Sequence, residues 1–147
     1  MTQTAIIRNT FEQGQGILRL APNFVPRRFS RAGHRLRLHP DDYYALGTVR
    51  GSIKERWFSS VIAAMNGPLA PPDEGMSYVA PTERLDDRFL LKDAVDELGA
   101  TIIGKALHAK YGTWPMYSKF FDYDPPLFLH LHLSLIHISE PTRLLSI

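Results

Sequence analysis

Residues 116–132 read MYSKFFDYDPPLFLHLH, and the predicted fold rests mainly on these residues. Aromatic and apolar residues are concentrated at both ends, which is typical of β-strands. Between them lies the triplet Asp124, Pro125 and Pro126, which favours a turn. We therefore expect one strand over 114–121 and a second strand from 127 to 132.

Four further segments have strand character. Leucines alternate with arginine over 18–20 and again over 36–38, which is the period of a half-buried strand. Residues 56–64 (RWFSSVIAA) are rich in strand-forming residues, and 76–79 form a shorter segment of the same kind. Strands dominate this pattern, so the sequence predicts a mainly β sandwich flanked by a few helices.

Three segments are predicted to be helical. Residues 39–47 (HPDDYYALG) combine a proline and two acids in the first turn with a final glycine. Apolar residues recur at helical spacing over 91–103, where Gly99 is an expected point of weakness. Residues 105–111 end at Gly112 and form the third helix.

Composition and charge exclude several classes of protein. The chain has 147 residues, 44% of them hydrophobic and 22% charged, with a formal net charge of +2 and no cysteine. Disulfides, thiolate catalysis and cysteine-ligated zinc are therefore excluded. The sequence has no apolar run long enough to span a bilayer, and residues 1–16 lack the basic-then-apolar order of a signal peptide. We expect a cytoplasmic protein without a membrane partner.

Two histidines near the end of the pattern are candidate metal ligands. His130 and His132 are two residues apart on the predicted strand, so both side chains point to the same face. Two imidazoles on one face suit a divalent metal ion, with zinc the expected one, although a site needs further ligands. Two half-exposed strand histidines without a metal remain an alternative.

The stretch that contains these histidines resembles the entry to the metal-binding strand of the cupin superfamily, and in particular that of class I mannose-6-phosphate isomerases. In those isomerases a strand with a lysine leads through a proline-leucine turn to a Gln-x-His pair of zinc ligands. Here Lys119 leads through Pro126 and Leu127 to His130 and His132. His132 matches the family's histidine, whereas His130 replaces its glutamine and gives the His-x-His form general among cupins.

Other segments are similar to the same family: ERWFSS at 55–60, HPDDYYALG, DEGMSYV and LLKDAVDELGATIIG. Together they cover most of residues 5–132. The resemblance implies a cupin-like β-sandwich or barrel of the jelly-roll type, truncated here. The family's remaining ligands, a glutamate and a distant histidine, have no counterpart before residue 132.

The resemblance also implies a function. The parent protein would be a metal-dependent aldose–ketose isomerase whose partner is a small sugar phosphate. Its metal would polarise sugar oxygens, and Lys119 would bind substrate through the phosphate group. A surface lysine on a strand is the alternative for Lys119, and the sequence assigns no catalytic residue. A non-catalytic sugar-binding or regulatory cupin remains the alternative function.

A cluster of arginines suggests a third class of function. It consists of Arg27, Arg28, Arg31, Arg35 and Arg37. The cluster could bind phosphate or a polyanion, but solvated arginines on a hairpin are the commoner explanation. Since no aromatic residues are interleaved in a nucleic-acid-binding motif, we expect no nucleic-acid partner.

The last fifteen residues resemble translated adapter DNA and not a natural protein sequence. Residues 133–143 read LSLIHISEPTR, the translation of a transposase adapter used in DNA-sequencing libraries. We expect 133–147 to be an artefactual tail and exclude it from the fold. Residues 1–132 would then be the N-terminal part of a cupin-type isomerase-like domain, cut at its metal-binding strand. We expect this fragment itself to be inactive, while the sequence leaves its oligomeric state open.

Overall fold

The computed structural model describes residues 2–127. These residues contain three α-helices and five short strands in two antiparallel sheets. In chain order the elements are α1 (Gln3–Gln13), β1 (Phe24–Arg27), β2 (Ser52–Phe58), β3 (Tyr78–Val79), β4 (Phe89–Leu90), α2 (Leu91–Ile103), α3 (Lys105–Tyr111) and β5 (Ser118–Phe121). Single-turn 3₁₀ helices occupy Pro40–Tyr44, Thr48–Arg50 and Leu85–Asp87.

The larger sheet has the strand order β1-β2-β5 and carries most of the polar chemistry described below. Its β1–β2 pairing contains a bulge, since Val25 pairs with Glu55 while the next residue, Pro26, pairs with Ile53. Lys54 is thus an extra residue on β2. A proline has no N–H to donate to a ladder, which explains why the bulge lies opposite Pro26.

The smaller sheet, β3–β4, packs with α1 and α2 around an apolar core. Its buried members are Ile7, Val79, Phe89, Leu91, Ala94 and Val95. The apolar face of α2 supplies three of these six side chains, which is what its helical spacing predicts. The α2 axis changes direction at Leu98, whose φ of −122° is not helical. A side chain on neighbouring Gly99 would collide with the His108 ring of α3.

Several predicted elements are confirmed. Helices α2 and α3 have the predicted bounds, and the weak point of α2 lies one residue before the predicted Gly99. Strands β3 and β5 lie within the predicted segments 76–79 and 114–121. Residues 39–47 contain a short helix, although of the 3₁₀ type, with the His39 side chain accepting the N–H of Asp41 at 3.3 Å.

Other predicted strands are wrong. Residues 36–38 form none, because His34 and Arg37 adopt left-handed φ values of 63° and 53° and the Leu36 N–H donates to the Asp122 carboxylate. Residues 18–20 contribute only an isolated bridge from Leu20 to Val79. In the predicted strand 56–64 only the first three residues are extended, since Ser59 has a φ of 54°.

Residues 2–127 contain the antiparallel strands and the helices that the sequence predicts, but more of these residues lie in α-helices than in strands. Helix α1, with Thr2 as its N-cap, was not among the predicted elements because its apolar residues are few. What the structure has is a mixed arrangement of helices and small antiparallel sheets. Within the same residues no helix is long and apolar enough to cross a membrane.

Candidate functional site

The site is built around Lys119, the described member of the predicted site residues. Lys119 lies on β5 directly opposite Trp57 of β2. Its ammonium lies 4.9 Å from the centre of the Trp57 ring and 4.8 Å from that of Phe121, distances at which a cation is attracted to an aromatic face. The ammonium is also 3.8 Å from the nearer carboxylate oxygen of Glu55. One fifth of the side chain remains exposed.

Glu55 is the buried centre of the surrounding hydrogen-bond network. Its side chain is 3% exposed, and its two oxygens accept from Arg27 Nε at 3.0 Å and Arg27 Nη2 at 3.1 Å. Trp57 Nε1 donates to the same carboxylate at 2.7 Å, and the Tyr123 hydroxyl donates to its other oxygen. A two-pronged arginine contact of this kind fixes both position and orientation of the carboxylate.

The network sets the ionisation of its members. Burial alone would raise the pKa of Glu55, but hydrogen bonds from Arg27, Tyr123 and Trp57, together with the Arg27 charge, outweigh it and lower the pKa. Burial and the Glu55 carboxylate strongly raise the pKa of Tyr123. Glu55 therefore stays ionised near neutral pH and Tyr123 stays protonated. A carboxylate held in this state positions its neighbours and is a weak general base.

A second row of polar side chains supports Arg27 from behind. Arg27 Nη1 donates to Asn66 Oδ1. Asn66 Nδ2 in turn donates to Pro26 O at 3.0 Å and to Glu74 Oε1 at 2.5 Å. Glu74 in turn forms an ion pair with Arg50. The loop between β2 and β3 is thereby attached to β1. This continuity makes the Glu55 end of the sheet rigid, which suits a site that must hold its ligands in place.

The arginine cluster divides into different environments. The expectation of solvated arginines is wrong for Arg27, whose side chain is only 15% exposed. Arg31 is exposed and pairs with Asp124 at 2.9 Å. Arg35 Nη1 lies 3.8 Å from the buried carboxylate of Asp122.

The structure places only part of the predicted site. The predicted metal ligands His130 and His132 lie outside the described residues, so the metal site stays a prediction. Among residues 2–127 no three His, Asp or Glu side chains are grouped closely enough to hold a metal ion. Sequence reasoning did not single out Glu55 as a site residue. The available signal was an acid directly before the predicted strand 56–64, because a carboxylate that becomes buried in a sheet needs a partner.

The chain was compared with known proteins at the level of families, curated sequences and solved structures. It matches no protein-family model, no curated protein and no solved structure.

Proposed function

We propose that the chain is part of a metal-dependent cupin, a relative of the sugar-phosphate aldose–ketose isomerases, in which Lys119 binds the substrate. The observation that carries the proposal is the setting of Lys119. Its ammonium is fixed beside Glu55 and between aromatic rings, yet it remains partly exposed. In the sequence His130 follows the end of β5 by nine residues, and His132 lies two residues further on. The three-stranded sheet would then be one part of a jelly-roll sandwich.

The Lys119 ammonium is available for a ligand. A separation of 3.8 Å from Glu55 is too long for a hydrogen bond, so this contact holds the charge in place without using its protons. An ammonium with free protons is a suitable point charge for a phosphate oxygen. The exposed ring of Tyr117, which stacks on the buried Trp57 ring with 5.0 Å between their centres, offers an apolar surface for the carbon face of a sugar.

The metal ion would be bound by His130 and His132. Two neutral imidazoles on one strand face are appropriate donors for zinc, and a bound zinc ion would supply Lewis-acid polarisation of the sugar oxygens. Glu55 would keep the Lys119 charge oriented while remaining ionised itself.

The decisive experiment is an isomerase assay on the protein expressed from the resequenced gene. The region downstream of the His132 codon is resequenced, the native reading frame is expressed, and interconversion of mannose 6-phosphate and fructose 6-phosphate is measured. Chelation should abolish activity, and zinc should restore it. His130→Ala and His132→Ala should each reduce kcat/KM by on the order of a hundredfold or more, as loss of a metal ligand does.

Lys119→Met separates substrate binding from metal binding in the same assay. We expect KM to rise about tenfold or more with zinc content unchanged, because one charge-assisted contact is lost. Lys110→Met, at an exposed lysine of α3, is the matched control and should leave KM unchanged. Full activity after chelation, or in His132→Ala, would contradict the proposal. The 147-residue chain itself is expected to be inactive.

A non-catalytic sugar-binding cupin is the second candidate. The aromatic surroundings of Lys119 favour it, because rings that stack on a sugar bind it without any metal. It predicts that sugar phosphate binding, measured by calorimetry, survives chelation while no isomerisation is detected. Metal-dependent turnover would eliminate this candidate.

A further inference from the structure

A cavity of about 630 Å³ lies beside the loop that follows β1, and its lining is strongly basic. The side chains that carry its chemistry are Arg28, Arg31, His34, Tyr43, Lys54 and Asp124. Neither Lys119 nor Glu55 lines it. Its volume is within the range of small-molecule sites in proteins. The cavity is therefore a separate place at which this chain could bind a ligand.

Lys54 brings a buried positive charge to this cavity. It is the extra residue of the β1–β2 bulge, a feature that turns a side chain away from the regular alternation of a strand. Only 1% of the residue is exposed, and its ammonium donates to the carbonyl oxygen of Arg27. Within residues 2–127 it has no carboxylate in ion-pair contact. Burial lowers the pKa of Lys54, and the nearby charge of Glu55 partly opposes this effect.

Tyr43 contributes a hydroxyl that lacks a partner. The residue is 4% exposed and lines the cavity, yet its hydroxyl makes no hydrogen bond to any described residue. Burial, together with the charge of Asp122, raises its pKa, so the hydroxyl keeps its proton. A buried donor without an acceptor is unfavourable in a folded protein. An anion in the cavity would satisfy it.

The charges around the cavity do not cancel. Asp124 is the one carboxylate among the described lining residues, and it is paired with Arg31 at 2.9 Å. Arg28 is exposed and forms no ion pair with any residue in 2–127. His34 packs edge-on against Tyr43 with 4.7 Å between the ring centres. Lys54 and Arg28 thus bring to the lining of one cavity two cationic side chains that form no ion pair with any residue in 2–127.

We propose that this cavity binds a phosphate group, free or carried by a small organic molecule, through Lys54, Arg28 and the Tyr43 hydroxyl. Two positive charges and a neutral donor suit the charge and the several acceptor oxygens of a phosphate. The volume leaves room for an organic group beyond the phosphate itself. The site goes beyond the isomerase proposal and does not depend on it.

The test is calorimetric titration of the full chain with inorganic phosphate at constant ionic strength. Tyr43→Phe should weaken binding about tenfold, since it removes one hydrogen bond to a charged ligand. Because that hydroxyl has no partner in the folded chain, the same variant should unfold at the wild-type temperature or above. Arg28→Gln should weaken binding by a similar factor. Arg37→Gln is the matched control, an exposed arginine of the same cluster that does not line the cavity, and it should change the Kd less than twofold.

Glycerol 3-phosphate distinguishes the two sources of the phosphate group. Equal affinity for glycerol 3-phosphate and inorganic phosphate indicates a site for the phosphate alone, whereas tighter binding of the ester indicates a phosphorylated metabolite. Both results support the proposal. Absence of binding by either ligand at millimolar concentration overturns it. So does wild-type affinity in both Tyr43→Phe and Arg28→Gln, or equal weakening by Arg37→Gln.

Discussion

Val95 and Glu55 are about equally buried, but different interactions stabilise the regions around them. Val95 is 1% exposed and lies in an apolar cluster between α1, α2 and the β3–β4 sheet. Glu55 is 2% exposed and lies among charged and hydrogen-bonding groups of the larger sheet. In the first region each side chain contributes mainly its own buried area. In the second, each group depends on the presence of the others.

This difference determines how each region responds to substitution. Removing an apolar side chain leaves a cavity, and neighbouring side chains partly close it. Removing the Glu55 charge leaves the buried Arg27 guanidinium without its counter-ion. It also leaves too few acceptor positions for Arg27, Trp57 and Tyr123, which no apolar repacking can replace. We therefore expect the polar region to be the more sensitive of the two.

Glu55→Gln has the largest expected effect. It should lower the free energy of unfolding by about 3–5 kcal/mol, the usual result of removing one partner of a buried ion pair. The shape of the side chain is retained, so the loss reports the charge and its hydrogen bonds. Urea denaturation followed by tryptophan fluorescence measures it, because Trp57 donates directly to the carboxylate.

Glu83→Gln is the matched control for Glu55→Gln. Glu83 also pairs with an arginine, Arg19, but its side chain is 83% exposed. Exposed pairs contribute at most about 1 kcal/mol, so this variant should be close to wild type. If both variants lose the same stability, burial does not distinguish the two pairs and the comparison above fails.

Val95→Ala tests the apolar region and should have a smaller effect, about 2 kcal/mol, from lost burial and a small cavity. Val49→Ala is its control, since Val49 is 65% exposed and its truncation should change stability by less than about 0.5 kcal/mol. Thermal and urea unfolding measure both. A loss in Val95→Ala larger than that of Glu55→Gln would reverse the order proposed for the two regions.

The same contrast explains how much the sequence could predict. Helix α2 was predicted with its bounds because an apolar face repeats at helical spacing, and that repeat is visible in one dimension. The β1–β2 bulge and the Arg27–Glu55 pair depend on which residues meet across the sheet, and no local spacing carries that information. Residues 36–38 have the alternation of a strand, yet hydrogen bonds to distant Asp122 hold the backbone elsewhere.

Two residues of the candidate site, Lys119 and Arg27, show what the sequence could and could not indicate. The sequence suggests Lys119 as a site residue only through the motif that continues to His130 and His132, not through any signal of its own. The sequence predicts a solvated Arg27 because its neighbours along the chain are basic. Its burial follows from β1 pairing with β2, which brings it to Glu55.

The pH dependence of stability should separate the two regions further. The pKa of Glu55 is below its usual value of 4.5 in the folded chain, so its stabilisation is fully present above that value. It is lost as the pH falls through the lowered pKa. Wild-type stability should therefore drop in this acidic range more steeply than that of Glu55→Gln, whereas Val95→Ala should follow the wild-type slope. Equal slopes in wild type and Glu55→Gln would mean that another carboxylate controls acid unfolding.

Apart from the control variants, Lys119→Met has the smallest expected effect on stability, under about 1 kcal/mol, and this small effect is informative. Lys119 lies near the Glu55 network, but at 3.8 Å it donates no hydrogen bond to the carboxylate, which retains Arg27. Methionine preserves the apolar stem against Trp57. A lysine that binds substrate should be dispensable for folding, whereas a structural lysine should not.

If Lys119→Met destabilises the chain as much as Glu55→Gln does, while Lys110→Met leaves stability unchanged, Lys119 belongs to the structural network. The substrate-binding proposal would then lose the observation that carries it.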